Sequence, residues 1–142
     1  MKSPFFVAVI STLLLSACIT VQPVTVTDVN NLRVEDVLSG SLKISFDVLI
    51  HNPNSYGLTL KEFKSSAFMN DKLITDIYLE KKIHIDANSD ITIPLKSSPS
   101  IQDIISTYLS GKFNGDVRVD GYIIVSKFLF RKKFPFSLTT KL

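Results

Sequence analysis

Between positions 42 and 50 the apolar residues Leu42, Ile44, Phe46, Val48 and Ile50 take every second place, with Lys43, Ser45 and Asp47 between them. Side chains that alternate with period two belong to a strand that has one face in a core and the other in water. The alternation returns in Val24 to Val29, Leu73-Thr75-Ile77-Leu79, Ile83-Ile85, Ile91-Ile93-Leu95, Val117-Val119-Gly121-Ile123-Val125 and Phe134-Phe136-Leu138. The turn-forming stretches NPNSYG, MNDK, DANSD and RKK separate these runs. Strands are therefore expected at 24–29, 42–51, 58–69, 73–86, 91–96, 116–130 and 134–141. About seven antiparallel strands at this spacing imply an all-β chain folded as a β-sandwich. With 142 residues, 45% of them apolar, there is material for one domain with a real core.

One segment departs from period two. In SSPSIQDIISTYLSGK, the residues Ile101, Ile104, Ile105, Tyr108 and Leu109 fall on a single face at helical spacing. Ser100 and Asp103 stand as a capping box does, and Gly111 suits the left-handed position past a helix C-terminus. A short helix bridging two strands is predicted there.

The N-terminal stretch MKSPFFVAVISTLLLSACIT has a positive start at Lys2, an apolar run over 5–15, and small residues before a cysteine. That is the form of a signal peptide, residues 1–17. Leu15-Ser16-Ala17-Cys18 resembles the bacterial lipobox, which implies a diacylglycerol thioether on Cys18 and cleavage before it. Cys18 is the sole cysteine, so no disulfide can form within the chain. A membrane-spanning helix needs about 20 apolar residues; this run, from Phe5 to Val21, reaches only 17 even when Ser11, Thr12, Ser16, Cys18 and Thr20 are taken in. By the same resemblance, Ile19 in place of an aspartate points to the outer membrane of a two-membraned envelope. Residues 18–23 would then be a lipidated tether, and 24–142 the folded domain.

Pro53 carries no N–H for a strand ladder and turns Asn52 away from helical geometry, so pairing ends at Asn52-Pro53-Asn54. Both asparagines can bond to nearby backbone, and Gly57 can adopt positive φ. An alternating strand that closes in this triplet, followed by YGLTLKEFKSSAFMNDKLI, IDANSDITIPLKSS, GDVRVDGYIIV and FPFSL, resembles the late embryogenesis abundant type 2 family, also called the water stress and hypersensitive response domain. The resemblance runs over about residues 24–142. It implies a fibronectin- or immunoglobulin-like sandwich of seven strands with a short helix, a part in protection against desiccation, salt or temperature stress, and no catalytic residues. It gives Asn52, Pro53 and Asn54 the role of a structural turn.

Chemical motifs are few. His51 and His84 fall on different predicted strands, without a second cysteine or a His-x-x-x-His pair to build a zinc site. His51 precedes a turn and His84 alternates with Ile83 and Ile85, which places both rings at the surface. No Gly-x-Ser-x-Gly elbow or phosphate-cradling glycine loop occurs. Asp116 and Asp120, flanking Arg118, read as a solvated strand face. No metal, cofactor or small-molecule substrate is expected, the lipid on Cys18 being the one added group.

The stretch KFLFRKKFPF interleaves Lys127, Arg131, Lys132 and Lys133 with Phe128, Phe130, Phe134 and Phe136. Cations among aromatics suit single-stranded nucleic acid, but a lipoprotein outside the cytoplasm rarely meets any, and a net charge of +3 is too small to argue for it. The expected arrangement is a hairpin with Arg131-Lys132-Lys133 as its turn and the phenylalanines directed inward on either side. Up-and-down strand counting places that turn, the NPNSYG turn and the start of the first strand at one end, with the three cations toward lipid headgroups. The whole points to a non-enzymatic, lipid-anchored envelope protein on the periplasmic face of the outer membrane, its partners being the membrane and a client protein. The alternative is an accessory or assembly subunit that docks a particular envelope complex by strand addition. Pro94, which cannot donate to a ladder, marks its strand as an edge.

Overall fold

A computed structural model describes residues 20–36, 42–111 and 115–141. Among the described residues, eight strands form two antiparallel sheets, and one helix connects them. In chain order they are β1 (Thr25–Asp36), β2 (Lys43–Asn52), β3 (Leu58–Met69), β4 (Lys72–Leu79), β5 (Ile83–Ile85), β6 (Ser89–Ser97), α1 (Ile101–Leu109), β7 (Asp116–Lys127) and β8 (Phe130–Lys141). The first sheet runs β1-β2-β6 and the second β4-β3-β7-β8, with β5 beside β3. The all-β sandwich expected from the alternation is what forms. Pro94 lies opposite Asp47 on β6, an edge strand, where a residue without an N–H is tolerated.

Period two sets the core. On β2 the even-numbered Phe46, Val48 and Ile50 are buried, and they meet Leu58, Leu60 and Phe63 of β3 and Ile123 and Val125 of β7 across the interior. On β3 the inward parity changes between Leu60 and Phe63, and the β3–β7 register shifts between Leu60 and Glu62. At the same level β4 gives way to β5: Phe63 pairs with Leu79, but Leu60 pairs with Ile83. Residues 61–62 thus face 80–82, a bulge with one extra residue on the outer strand. The expected single strand over 73–86 is accordingly two pieces in line. β1 runs to Asp36, well past the predicted end at 29, through three register irregularities and an Asn31 at φ 53° that keep it bent along β2.

Gly121 occupies an inward position on β7, opposite Ser65 of β3. A Cβ there would sit 2.2 Å from the Lys64 carbonyl oxygen and 2.7 Å from Ser65 Cα, so the two strands approach as only glycine allows. Phe136, its partner on β8, fills the space and stacks on Phe63 with centroids 5.4 Å apart.

The predicted helix is α1. Ser100 caps it, accepting from the Asp103 N–H at 3.4 Å, and Gly111 follows at φ 66°. Its predicted apolar face is only partly covered: Ile101 and Ile104 are half-buried and Thr107 is buried, while Ile105, Tyr108 and Leu109 are exposed. Lys72 on β4 holds the helix in place through Asp103 at 2.8 Å and Ser106 at 3.0 Å. Those two polar contacts turn the Thr107 side inward.

Candidate functional site

The chain enters the sandwich at the end where β2 closes and β3 begins, since Thr25 pairs with His51 and Thr59 with Ser126. This proximal end is built around two asparagines. Asn52 continues the inward parity of Phe46, Val48 and Ile50, which buries it completely; Asn54 is 2% exposed. A buried amide must have its hydrogen bonds met. Asn52 Nδ2 donates to the carbonyls of Tyr56 at 3.1 Å and Asp86 at 2.8 Å, while its Oδ1 accepts from Asn54 N at 3.1 Å and Asn54 Nδ2 at 2.9 Å. Both amide hydrogens and both acceptor sites of Asn52 are used. Asn54 Nδ2 donates also to the Gln22 carbonyl at 3.1 Å, its Oδ1 accepts from Gln22 N at 2.7 Å, and its backbone carbonyl accepts from Asn88 N at 2.9 Å. The triplet therefore ties four stretches of chain together: the incoming segment at Gln22, the end of β2, the 54–57 turn, and the β5–β6 connection. Sequence reasoning expected local capping and missed this long-range staple; the parity of β2 was the signal that Asn52 points inward.

A second line of contacts leads outward from the staple. The Tyr56 hydroxyl donates to the Thr20 carbonyl at 3.2 Å, and Lys127 Nζ lies 4.1 Å from the Tyr56 ring centre. Lys127 closes the β7–β8 hairpin, pairing with Phe130. The first strand's start, the NPNSYG turn and this hairpin thus share one end. Cys18 lies outside the described residues.

The basic triplet is not the turn. Arg131, Lys132 and Lys133 are in β8, paired with Ser126, Val125 and Ile124, and the turn residues are Phe128 and Leu129. The phenylalanines divide likewise: Phe134 and Phe136 pack against the core, whereas Phe128 and Phe130 are exposed. The reason is register. Val125 and Ile123 must face inward, which fixes β7 through Lys127 and leaves two residues for the reversal. As strand residues the three cations alternate between the two faces of the hairpin, Arg131 and Lys133 on one and Lys132 on the other, instead of projecting side by side from a turn. Arg131 approaches Glu62 at 3.8 Å on the outer face, and Lys133 Nζ lies 3.8 Å from the Tyr122 ring centre. The Tyr122 hydroxyl, donating to Glu62 at 2.9 Å, holds that carboxyl below its ordinary range, with Lys64 at 3.2 Å adding to the effect.

Both histidines are surface residues with carboxylate neighbours. His51 Nδ1 lies 2.7 Å from Asp90 Oδ1 across the β2–β6 ladder, and His84 Nε2 lies 3.2 Å from Asp86. Arg118 bridges Asp71 at 2.6 Å and Asp120 at 2.9 Å, and Ser137 donates to Asp120 at 2.6 Å. That is a bonded outer strand face. Among the described residues no three His, Cys, Asp or Glu side chains come together as metal ligands.

The opposite, distal end holds a cleft of about 520 Å³ between the sheets, with Phe46, Met69, Ile74, Ile77, Ile104 and Val119 in its wall. Its wall is mostly carbon, with Asn30, Asn31, Thr75, Ser97, Thr140 and Lys141 as its polar members.

No family model and no curated protein matches this sequence. The fold is shared with solved structures. A protein from Archaeoglobus fulgidus is 12% identical, with a TM-score of 0.60 over 83% of this chain and 96% of that one. A protein from Arabidopsis thaliana, solved in solution, is 17% identical, with a TM-score of 0.64 over 89% of this chain and 86% of that one. A structural-genomics target solved by X-ray crystallography is 13% identical, with a TM-score of 0.51 over 81% and 84%. At these identities the likeness is one of fold.

Proposed function

We propose that this chain is a non-enzymatic, lipid-anchored protein of the cell envelope, of the late embryogenesis abundant type 2 kind, which serves in stress protection through its folded surface. The observation that carries the proposal is where the chain enters the domain. Gln22 is clamped by both side-chain polar atoms of Asn54, four residues after Cys18. A lipid on Cys18 would therefore hold the proximal end against the membrane with almost no slack. The Leu15-Ser16-Ala17-Cys18 box supports the anchor, and the Asn52-Pro53-Asn54 turn in its sequence context supports the kinship.

The anchor is tested by metabolic labelling with a palmitate analogue. The wild-type chain takes up label and resists a salt wash of the membrane; Cys18→Ser loses the label. Labelling of the serine variant would end the lipoprotein reading. Affinity capture from intact envelopes separates general protection from service as an accessory subunit: a single stoichiometric partner would favour the latter.

A further inference from the structure

The proximal end carries a surface that neither the fold nor the asparagine staple requires. Phe128 is 86% exposed, Leu129 100% and Phe130 42%, three successive apolar side chains at the outermost point of the β7–β8 hairpin. A two-residue hairpin loop with positive φ at its first central position is ordinarily a place for glycine, yet Phe128 holds it at φ 50°. A phenylalanine there strains the backbone and leaves its ring in water. Local stability explains neither the backbone nor the side chain. Four cations, Lys127, Arg131, Lys132 and Lys133, stand within four residues of Leu129. Arg131 lies 3.8 Å from Glu62, while Lys127 and Lys133 stand over the rings of Tyr56 and Tyr122.

An apolar tip collared by cations matches the boundary of an anionic bilayer, where the rings reach the acyl region and the charges meet phosphate. The tip is also in the right place. The Thr20 carbonyl accepts from Tyr56, beside which Lys127 sits, and Cys18 is two residues from Thr20, a separation of at most about 7 Å. We propose that Phe128, Leu129 and Phe130 insert into the headgroup–acyl boundary of an anionic bilayer, with Lys127, Arg131, Lys132 and Lys133 at phosphate level. The domain then stands on its membrane at two points, the hairpin tip and the N-terminal lipid; the second of these rests on the anchor proposed above.

The chain contains no tryptophan, so one introduced at the tip reports alone. The lipidated full-length chain carrying Leu129→Trp is mixed with phosphatidylcholine–phosphatidylglycerol vesicles that have brominated acyl chains, and the vesicles are floated. Emission from the tip shifts to the blue and is largely quenched, less so on vesicles of phosphatidylcholine alone. Leu109→Trp, exposed at the distal end, keeps its emission. Adding Phe128→Gly to the Leu129→Trp chain raises the thermal midpoint, because glycine accepts the positive φ, and weakens the quenching; a purely structural tip would not separate the two. A chain that floats with its tip unquenched overturns the insertion and leaves the anchor standing. A quenched tip in a chain that floats equally as Cys18→Ser overturns the anchor alone, and loss of both flotation and quenching overturns both. A blue shift that grows with protein concentration in the absence of lipid would mean that tips pair with one another, and would overturn the bilayer assignment.

Discussion

Asn52 shows how a single residue can be read correctly in kind and incompletely in reach. Its neighbours in the sequence announce a strand end, and Pro53 enforces it. What holds the residue is elsewhere: the Tyr56 and Asp86 carbonyls on one side and Asn54 on the other. The two carbonyls need a donor, so an amide cannot be exchanged for a carboxylate of the same shape. Asn52→Asp removes both donated bonds and sets a buried charge against two carbonyl oxygens, which costs about 3–5 kcal/mol. Asn52→Ala leaves orphaned groups without the charge and costs less, about 1–3 kcal/mol. Urea unfolding at neutral pH ranks the three chains wild type, Ala, Asp in falling stability. Equal midpoints for wild type and Asp would show that the amide is not a structural donor.

Among elements, the strands differ in how far the sequence exposes them. β2 and β7 are legible because their alternation is strict and their neighbours are unambiguous. β3 is legible in extent, but the change of parity between Leu60 and Phe63 makes sense only once β5 and β7 lie beside it. The β7–β8 turn is misplaced by composition: RKK looks like a turn because it is charged, and FLF looks like a strand because it is apolar. Pairing of Val125 with Lys132 overrides both impressions. Gly121 gives this level a test. Gly121→Ala must push β7 from the Lys64 carbonyl, which lies closer to the added Cβ than any real contact. Overpacking of this kind costs about 1–3 kcal/mol, with the folded topology kept. Thermal or chemical denaturation measures it, and a neutral result would mean that β3 and β7 are not held at this separation.

For the whole molecule, acid stability follows from four carboxyls whose pKa lies below the ordinary range. Lys96 does this for Glu35, the Tyr122 hydroxyl for Glu62, Lys72 for Asp103 and the Ser137 hydroxyl for Asp120. A carboxyl with a depressed folded pKa contributes stability that is fully present above its unfolded value, about 4. The contribution is lost as pH falls through the folded value. Stability is therefore expected to hold level from pH 7 to about 5 as far as these groups are concerned, and to decline below about 4. Asp120→Asn should flatten part of that acid limb in urea midpoints measured against pH. An unchanged limb would mean that the Ser137 and Arg118 contacts do not bind the ionised form more strongly.

By itself the sequence determined that the residues after the N-terminal segment form a β-sandwich with a helix at Ile101–Leu109, because period two and period 3.6 are properties of neighbours along the chain and are written there directly. It determined likewise where β2 must stop, since proline lacks an N–H wherever the fold places it. Tertiary structure alone decided what Asn52 and Asn54 hold, how the 73–86 run is broken, and which residues form the hairpin tip. Each of these depends on groups brought together from distant positions: Gln22 meets Asn54, 80–82 meet the bulge at 61–62, and Val125 meets Lys132. Register between strands is fixed by the joint demand of every inward side chain for the same core, and no local stretch of sequence carries that sum.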